Sequence, residues 1–230
     1  MTQILAVGAH PDDIEFGCAA ILIKEIAKGS AVKLLVLSRG EAGTAGTPEI
    51  REAESRTAAK LIGTEIEFLD FGGDCNLEYT IQNRLRIAAE IRKMRPSIVI
   101  APSTQENQHP DHVVVGRLVR DACRIARYGG VRELKPAASH KVDHLYFYNI
   151  TQHLSTPDIV IDISAHVEKW EAAMRCHATQ TAQKSYIDLQ KSAARLLGLT
   201  IGVDYAAGLY SNDPIRLDHL SDLTHSSRNF

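Results

Sequence analysis

Ile4-Leu5-Ala6-Val7-Gly8-Ala9-His10-Pro11-Asp12-Asp13 decides the architecture. Its first four residues form an apolar run of the kind found in strands covered on both faces. The run stops at Gly8, and from Glu15 to Lys28 apolar residues recur at helical spacing until Gly29. A strand that passes straight into a helix is the opening of a βαβ unit, and the pattern continues down the chain. Val32 to Leu37 is a second strand; the next helix has Pro48 near its first turn and Gly63 past its end. Ile66 to Leu69 fits a third strand, and Ile81 to Met94 a helix that stops before Pro96. Ile98-Val99-Ile100-Ala101 is the fourth strand, and Val113 to Arg127 is a helix ended by Gly129-Gly130. Strands over His144–Tyr148 and Ile159–Ile163 follow, then helices around Val167–Ala178 and Tyr186–Leu197. This alternation predicts an α/β fold, Rossmann-like, with a mostly parallel sheet and helices on both faces. No linker or low-complexity tract interrupts residues 1–230, so one domain is expected.

Parallel sheets of this type bind ligands beyond the carboxyl ends of their strands, where the strand order reverses. In an order beginning 3-2-1-4, strands one and four are neighbours at that point. His10-Pro11-Asp12-Asp13 follows strand one, and His109-Pro110-Asp111-His112 follows strand four. Two His/Asp clusters therefore meet in one crevice, although about a hundred residues separate them. His10, Asp13 and His112 supply three nitrogen and oxygen ligands, which leaves an open position of the catalytic zinc type. Asp12 is then a spare carboxylate, placed to take a proton from an attacking water. His109 is a candidate to stabilise an oxyanion or protonate a leaving amine, with Asp111 beside it to orient the ring and raise its basicity. A simple turn with Asp13 as helix cap accounts for either motif alone, but not for both at strand ends. The later glycines of a dinucleotide loop are missing, and no GxSxG elbow occurs. Two histidines and a carboxylate also suit non-haem iron, so ligand type leaves Zn2+ and Fe2+ both open.

Composition narrows the classes. A net charge of −2 lacks the footprint of a nucleic-acid binder, and no apolar run approaches a membrane span. Met1-Thr2-Gln3 has no basic leader, and Cys18, Cys75, Cys123 and Cys176 form no CxxC pair. Reduced, mostly buried thiols in a cytoplasmic protein are expected. Arg39, Glu41 and Arg51 flank a loop containing Gly40, Gly43 and Gly46, on the metal rim. That loop is suited to move as a lid or to approach a ligand closely, with at least one arginine pairing with substrate.

Ala9-His10-Pro11-Asp12-Asp13 with Glu15, and His109-Pro110-Asp111-His112, resemble the paired motifs of the LmbE/PIG-L N-acetylglucosaminyl deacetylases. Arg39-Gly40-Glu41, Gly46 to Arg51, and Ile201-Gly202-Val203 with Tyr205-Ala206 resemble the bacillithiol-biosynthesis branch. The resemblance implies a zinc hydrolase that removes acetate from an N-acetylglucosamine conjugate, the malate glycoside in that branch. It implies His10, Asp13 and His112 as ligands, Asp12 as base, His109 as acid or oxyanion stabiliser with Asp111 as its partner, and Arg51 as a substrate contact. It also implies a homo-oligomer, a hexamer in that branch; Thr151 to His166, from its position between the core strands and the final helices, is the expected interface element. His177-Ala178-Thr179-Gln180 resembles a further family segment whose role the sequence does not give. The chain departs from the branch at Gln108, where arginine is usual, and at Gly72-Gly73-Asp74, which replaces Pro-Asp-Gly. Glutamine there offers substrate only neutral hydrogen bonds. A non-catalytic sugar- or metal-binding protein on the same fold is the rival reading, and it leaves Asp12 and His109 without a task.

Overall fold

The computed structural model describes residues 1–105, 109–151, 156–182 and 185–222. Among these residues, seven strands form one sheet in the order β3-β2-β1-β4-β5-β7-β6. β1 (Gln3–Gly8), β2 (Ala31–Val36), β3 (Glu65–Phe68), β4 (Ile98–Pro102) and β5 (His144–Tyr148) pair in parallel. β6 (Ile159–Asp162) and β7 (Ala206–Ser211) run antiparallel to their neighbours. The reversal of strand order between β1 and β4 is the crevice that the two motifs require.

Strand alternation divides the core in two. Ile4, Ala6, Leu34, Val36 and Ile100 face one cluster, whereas Leu5, Val7, Leu35, Val99 and Ala101 face the other. α1 (Asp13–Gly17), α2 (Ala19–Ala27), α3 (Pro48–Ile62), α6 (Val167–Arg175) and α8 (Tyr186–Ile201) contribute to the first layer. α4 (Ile81–Met94) and α5 (Pro110–Arg127) cover the second. α7 (Ala178–Thr181) is a single turn between α6 and α8.

Two sequence expectations change. The helix expected from Glu15 to Lys28 breaks at Cys18, which sits outside helical geometry at φ −147°. The break follows Gly17, where an added Cβ would lie 2.1 Å from the Tyr148 ring. Tyr148 is fully buried there and donates to the Val7 carbonyl at 2.8 Å. β7 has no counterpart among the expected strands: Ala206-Ala207-Gly208-Leu209-Tyr210-Ser211 has no β-branched residue and contains a glycine. Pairing with β5 and β6 and packing on α8 make it a strand, so tertiary context overrides weak propensity. The segment from Thr151 to His166 contains the sheet-edge strand β6, while residues 152–155 lie outside the described residues.

Candidate metal centre

β1 ends at Gly8, and the chain turns sharply before α1. Asp12 takes the left-handed conformation, φ 93°, at the helix N-cap. Such a conformation costs a non-glycine residue on the order of 1–3 kcal/mol, and aspartate tolerates it better than most. Asp13 closes the turn: its Oδ2 accepts the Ala9 and His10 backbone N–H groups, each at 2.8 Å. Its Oδ1 is thereby aimed at His112 Nε2, 3.1 Å away. One carboxylate thus serves both as turn clasp and as candidate ligand, so the capping and functional readings of Asp13 are compatible.

The donor atoms of His10, Asp13 and His112 lie within 4.8 Å of one another, and all three residues are buried. The set fits a divalent ion that takes nitrogen and oxygen ligands. His10 presents Nδ1 toward Asp13 at 3.5 Å, and its Nε2 lies 3.1 Å from both Asp74 Oδ1 and Asp111 Oδ2. A carboxylate behind a ligating imidazole fixes ring orientation and tautomer. Without metal, burial lowers the His10 pKa, but Asp13 and the hydrogen bonds to Asp111, Asp13 and Asp74 outweigh it and hold the pKa well above its ordinary value. Burial opposes ionisation of Asp13, yet His112 and His10 keep its pKa well below the usual range.

Asp12 stands beside these groups with its side chain 18% exposed. Burial and the Asp13 charge push its pKa up to about 6, against the pull of His177, Arg51 and His10. His109 is the N-cap of α5, its side chain 31% exposed, and its Nδ1 accepts the Asp111 backbone N–H at 3.2 Å. An accepting Nδ1 leaves the ring proton on Nε2, where it can be donated into the crevice. Burial and the nearby His10 charge lower the pKa of His109, which favours this neutral donor form.

The Asp111 carboxylate does not orient His109 as expected; it holds His10 and the Cys75 backbone N–H, the latter at 2.8 Å. His109 is oriented by the Asp111 amide instead, and a donor at Nδ1 reduces basicity where the carboxylate was expected to raise it. Arg51 is 5% exposed and turned inward rather than toward the open crevice. Its guanidinium donates to Pro11 O at 3.0 Å and Gly40 O at 3.2 Å, and lies 3.4 Å from Asp12 Oδ2. The glycine loop packs on it: a Cβ at Gly40 would meet Arg51 Nη1 at 2.0 Å, and one at Gly43 would meet it at 2.8 Å. These glycines serve close approach within the protein. Arg39, on the rim, pairs with Glu52 at 2.7 Å and Glu49 at 3.6 Å. Gln108 lies outside the described residues. The cysteines are unpaired, but only Cys18 is fully buried; Cys75 is exposed, and Cys123 and Cys176 are intermediate.

Some residues of this region were not among the site residues expected from the sequence. Asp74 is buried against His10, and its pKa is lowered to about 2 chiefly by that hydrogen bond, against burial. Asp74 follows two glycines at positive φ, a tight loop that marks the position without revealing its partner. Glu15 and His177 form a deeply buried contact at 3.4 Å behind Asp12. Cys75 extends from the Asp74 loop toward His109.

Residues 5–123 match the PIG-L family, described as GlcNAc-PI de-N-acetylase. The chain belongs to that family. It is 30% identical to the diacetylchitobiose deacetylase of Thermococcus kodakarensis over 226 residues, 90% of this chain and 82% of that one. It is 27% identical to the 4-oxalmesaconate hydratase of Pseudomonas putida over 237 residues, 94% of this chain and 92% of the other. The structure of a conserved protein from Thermus thermophilus superposes with a TM-score of 0.87 at 34% identity, covering 94% of this chain and 97% of that one. Among the described residues, no helix is long and apolar enough to cross a membrane.

Proposed function

We propose that this PIG-L family member is a zinc-dependent N-deacetylase that removes acetate from an N-acetylglucosamine conjugate. His10, Asp13 and His112 would hold the ion, and the donor set also suits Fe2+. A divalent ion at that position supplies Lewis-acid polarisation of a carbonyl and activation of water. Asp12 takes the proton from the attacking water, a task suited to a carboxyl near the crevice with a pKa of about 6. His109 donates its Nε2 proton as a hydrogen bond to the developing oxyanion. Asp111 and Asp74 hold His10 from behind. The observation that carries this reading is the division of labour: three residues converge, while Asp12 and His109 stand beside them partly open to solvent.

The substrate is an amino sugar whose aglycone includes malate as one candidate. Buried Arg51 does not favour direct contact with an anionic aglycone; it braces the Asp12 turn. Arg39 is the candidate rim contact, and Gln108, next to His109 in sequence, stays a candidate substrate residue on its sequence position alone. We further propose a cytoplasmic homo-oligomer, a hexamer with Thr151 to His166 in its interface, for which light scattering reporting a monomer would be decisive against.

Chelator-stripped protein reloaded with Zn2+ should release acetate from N-acetylglucosamine glycosides, and stripped protein should not. No acetate from any N-acetylated amino sugar, at full metal occupancy, would overturn the assignment. The similarity to the P. putida 4-oxalmesaconate hydratase favours a second reading, addition of water to an unsaturated polycarboxylate. Loss of a conjugated alkene absorbance without acetate release would select it.

A further inference from the structure

Cys75 has no part in the chemistry above, yet its position is tightly specified. It takes φ 66° in the loop between β3 and α4, just after Gly72 and Gly73, which also have positive φ. Its backbone N–H donates to Asp111 Oδ2, and that of Asp74 donates to Glu41 Oε2, each at 2.8 Å. The loop is therefore pinned to α5 on one side and to the β2–α3 loop on the other. This pinning brings three metal-binding atom types together. Cys75 Sγ is 3.4 Å from Asp74 Oδ1 and 3.6 Å from His109 Nε2, and those two are 3.8 Å apart. Tetrahedral zinc with one sulfur, one nitrogen and one oxygen ligand has ligand–ligand edges of roughly 3.4–3.6 Å, from its usual bond lengths. The triangle is nearly that size before any ion arrives.

We propose that Asp74, Cys75 and His109 form a second, thiolate-containing metal site at the mouth of the first, which takes a soft divalent ion such as Zn2+ or Cd2+ and thereby inhibits turnover. Sulfur gives the site its preference for soft ions over Mg2+ or Ca2+. Binding releases the thiol proton to solvent. It also moves the imidazole proton from Nε2 to Nδ1, where Asp111 Oδ2 stands 3.9 Å away. That shift sacrifices the Asp111 N–H to Nδ1 hydrogen bond. The second site is therefore weaker than the first and fills after it. Once filled, His109 has no Nε2 proton to donate, so excess metal shuts off what the first equivalent enables. The inhibitory half rests on the role proposed for His109; the binding half does not.

Cd2+ titration of stripped protein separates these halves. The expected result is a second bound ion accompanied by ultraviolet thiolate-to-metal charge transfer. Cys75→Ser should bind one ion fewer with no such band, and Cys75→Gly, which suits the positive φ without strain, should behave alike. Excess Zn2+ should cut turnover of the one-equivalent enzyme by roughly a hundredfold, the lower end of what losing one oxyanion donor costs. In both variants, turnover with excess Zn2+ should stay close to turnover with one equivalent. A band that is missing from the unaltered protein, or that survives in Cys75→Ser and Cys75→Gly, overturns the site. If the band is lost in the variants but inhibition remains, the site stands and its inhibitory role falls. Absence of deacetylation would leave the cadmium result readable.

Discussion

At the scale of single residues, Asp12 carries opposite demands. A water-activating carboxylate must be near the ligands and partly desolvated, and here burial and the Asp13 charge raise the free energy of its charged form. Its pKa of about 6 in the metal-free fold lies above the unfolded value near 3.8. The native state thus binds more protons than the unfolded state, and the Asp12 contribution to stability falls as pH rises from about 4 to about 6. Asp12→Asn should therefore stabilise the metal-free protein at pH 7 and do little at pH 4; equal melting shifts at both would contradict this. The same variant should retain metal and lose turnover by roughly 10²–10⁴. His112→Ala should lose metal and activity together, measured by elemental analysis beside acetate release. In the active protein the acid limb of the rate profile should fall at or below about pH 6, since a nearby cation favours ionised Asp12. Arg51→Ala should lower turnover of neutral and anionic glycosides alike, because its guanidinium braces Pro11 and Gly40. A selective loss on the anionic substrate would restore Arg51 to direct recognition.

At the scale of elements, the two strand-to-helix turns build the site by different local devices. The β1 turn is clasped by Asp13 accepting main-chain N–H groups, whereas α5 is capped by the ring nitrogen of His109. Both devices belong to short motifs, which is why the ligand triad was legible in the sequence. Asp74 and the Asp111 carboxylate were legible only as residue types. Their partner, His10 Nε2, comes from a distant strand end, and pairing across the crevice leaves no local pattern. The inward turn of Arg51 was hidden for a related reason: loop glycines show that something approaches closely, without saying what. The close approach of the Tyr148 ring to Gly17, beside the α1–α2 break, is similarly non-local. Gly17→Ala should cost about 1–3 kcal/mol by overpacking, with Tyr148→Leu in the same chain recovering part of it. A thermal shift near zero for Gly17→Ala alone would show that the ring yields freely.

At the scale of the molecule, the parallel half of the sheet was readable because β1, β2 and β4 are mostly apolar and amphipathic helices separate the strands. At the antiparallel end β6 was readable from Ile159 to Ile163, but β7 was not, since Gly208 and its alanines give no strand signal on their own. Yet β7 lies between β5 and β6 and is hydrogen-bonded to both. This insertion sets an order for biosynthesis. As the chain leaves the ribosome, β1, β4 and the residues proposed to hold metal appear early, and they can assemble against α2, α4 and α5. β6 emerges next without a neighbour, and the β5 edge stays open until Ala206 to Ser211 arrives and fits between them. An unpaired edge of this kind invites association with other chains. Nascent chains stalled before Ala206 should therefore be retained by chaperones more than chains stalled after the described residues, and equal retention would contradict this. Among the described residues the last strand to be made is the one that seals the sheet, so quality control of this protein should be concentrated in that interval.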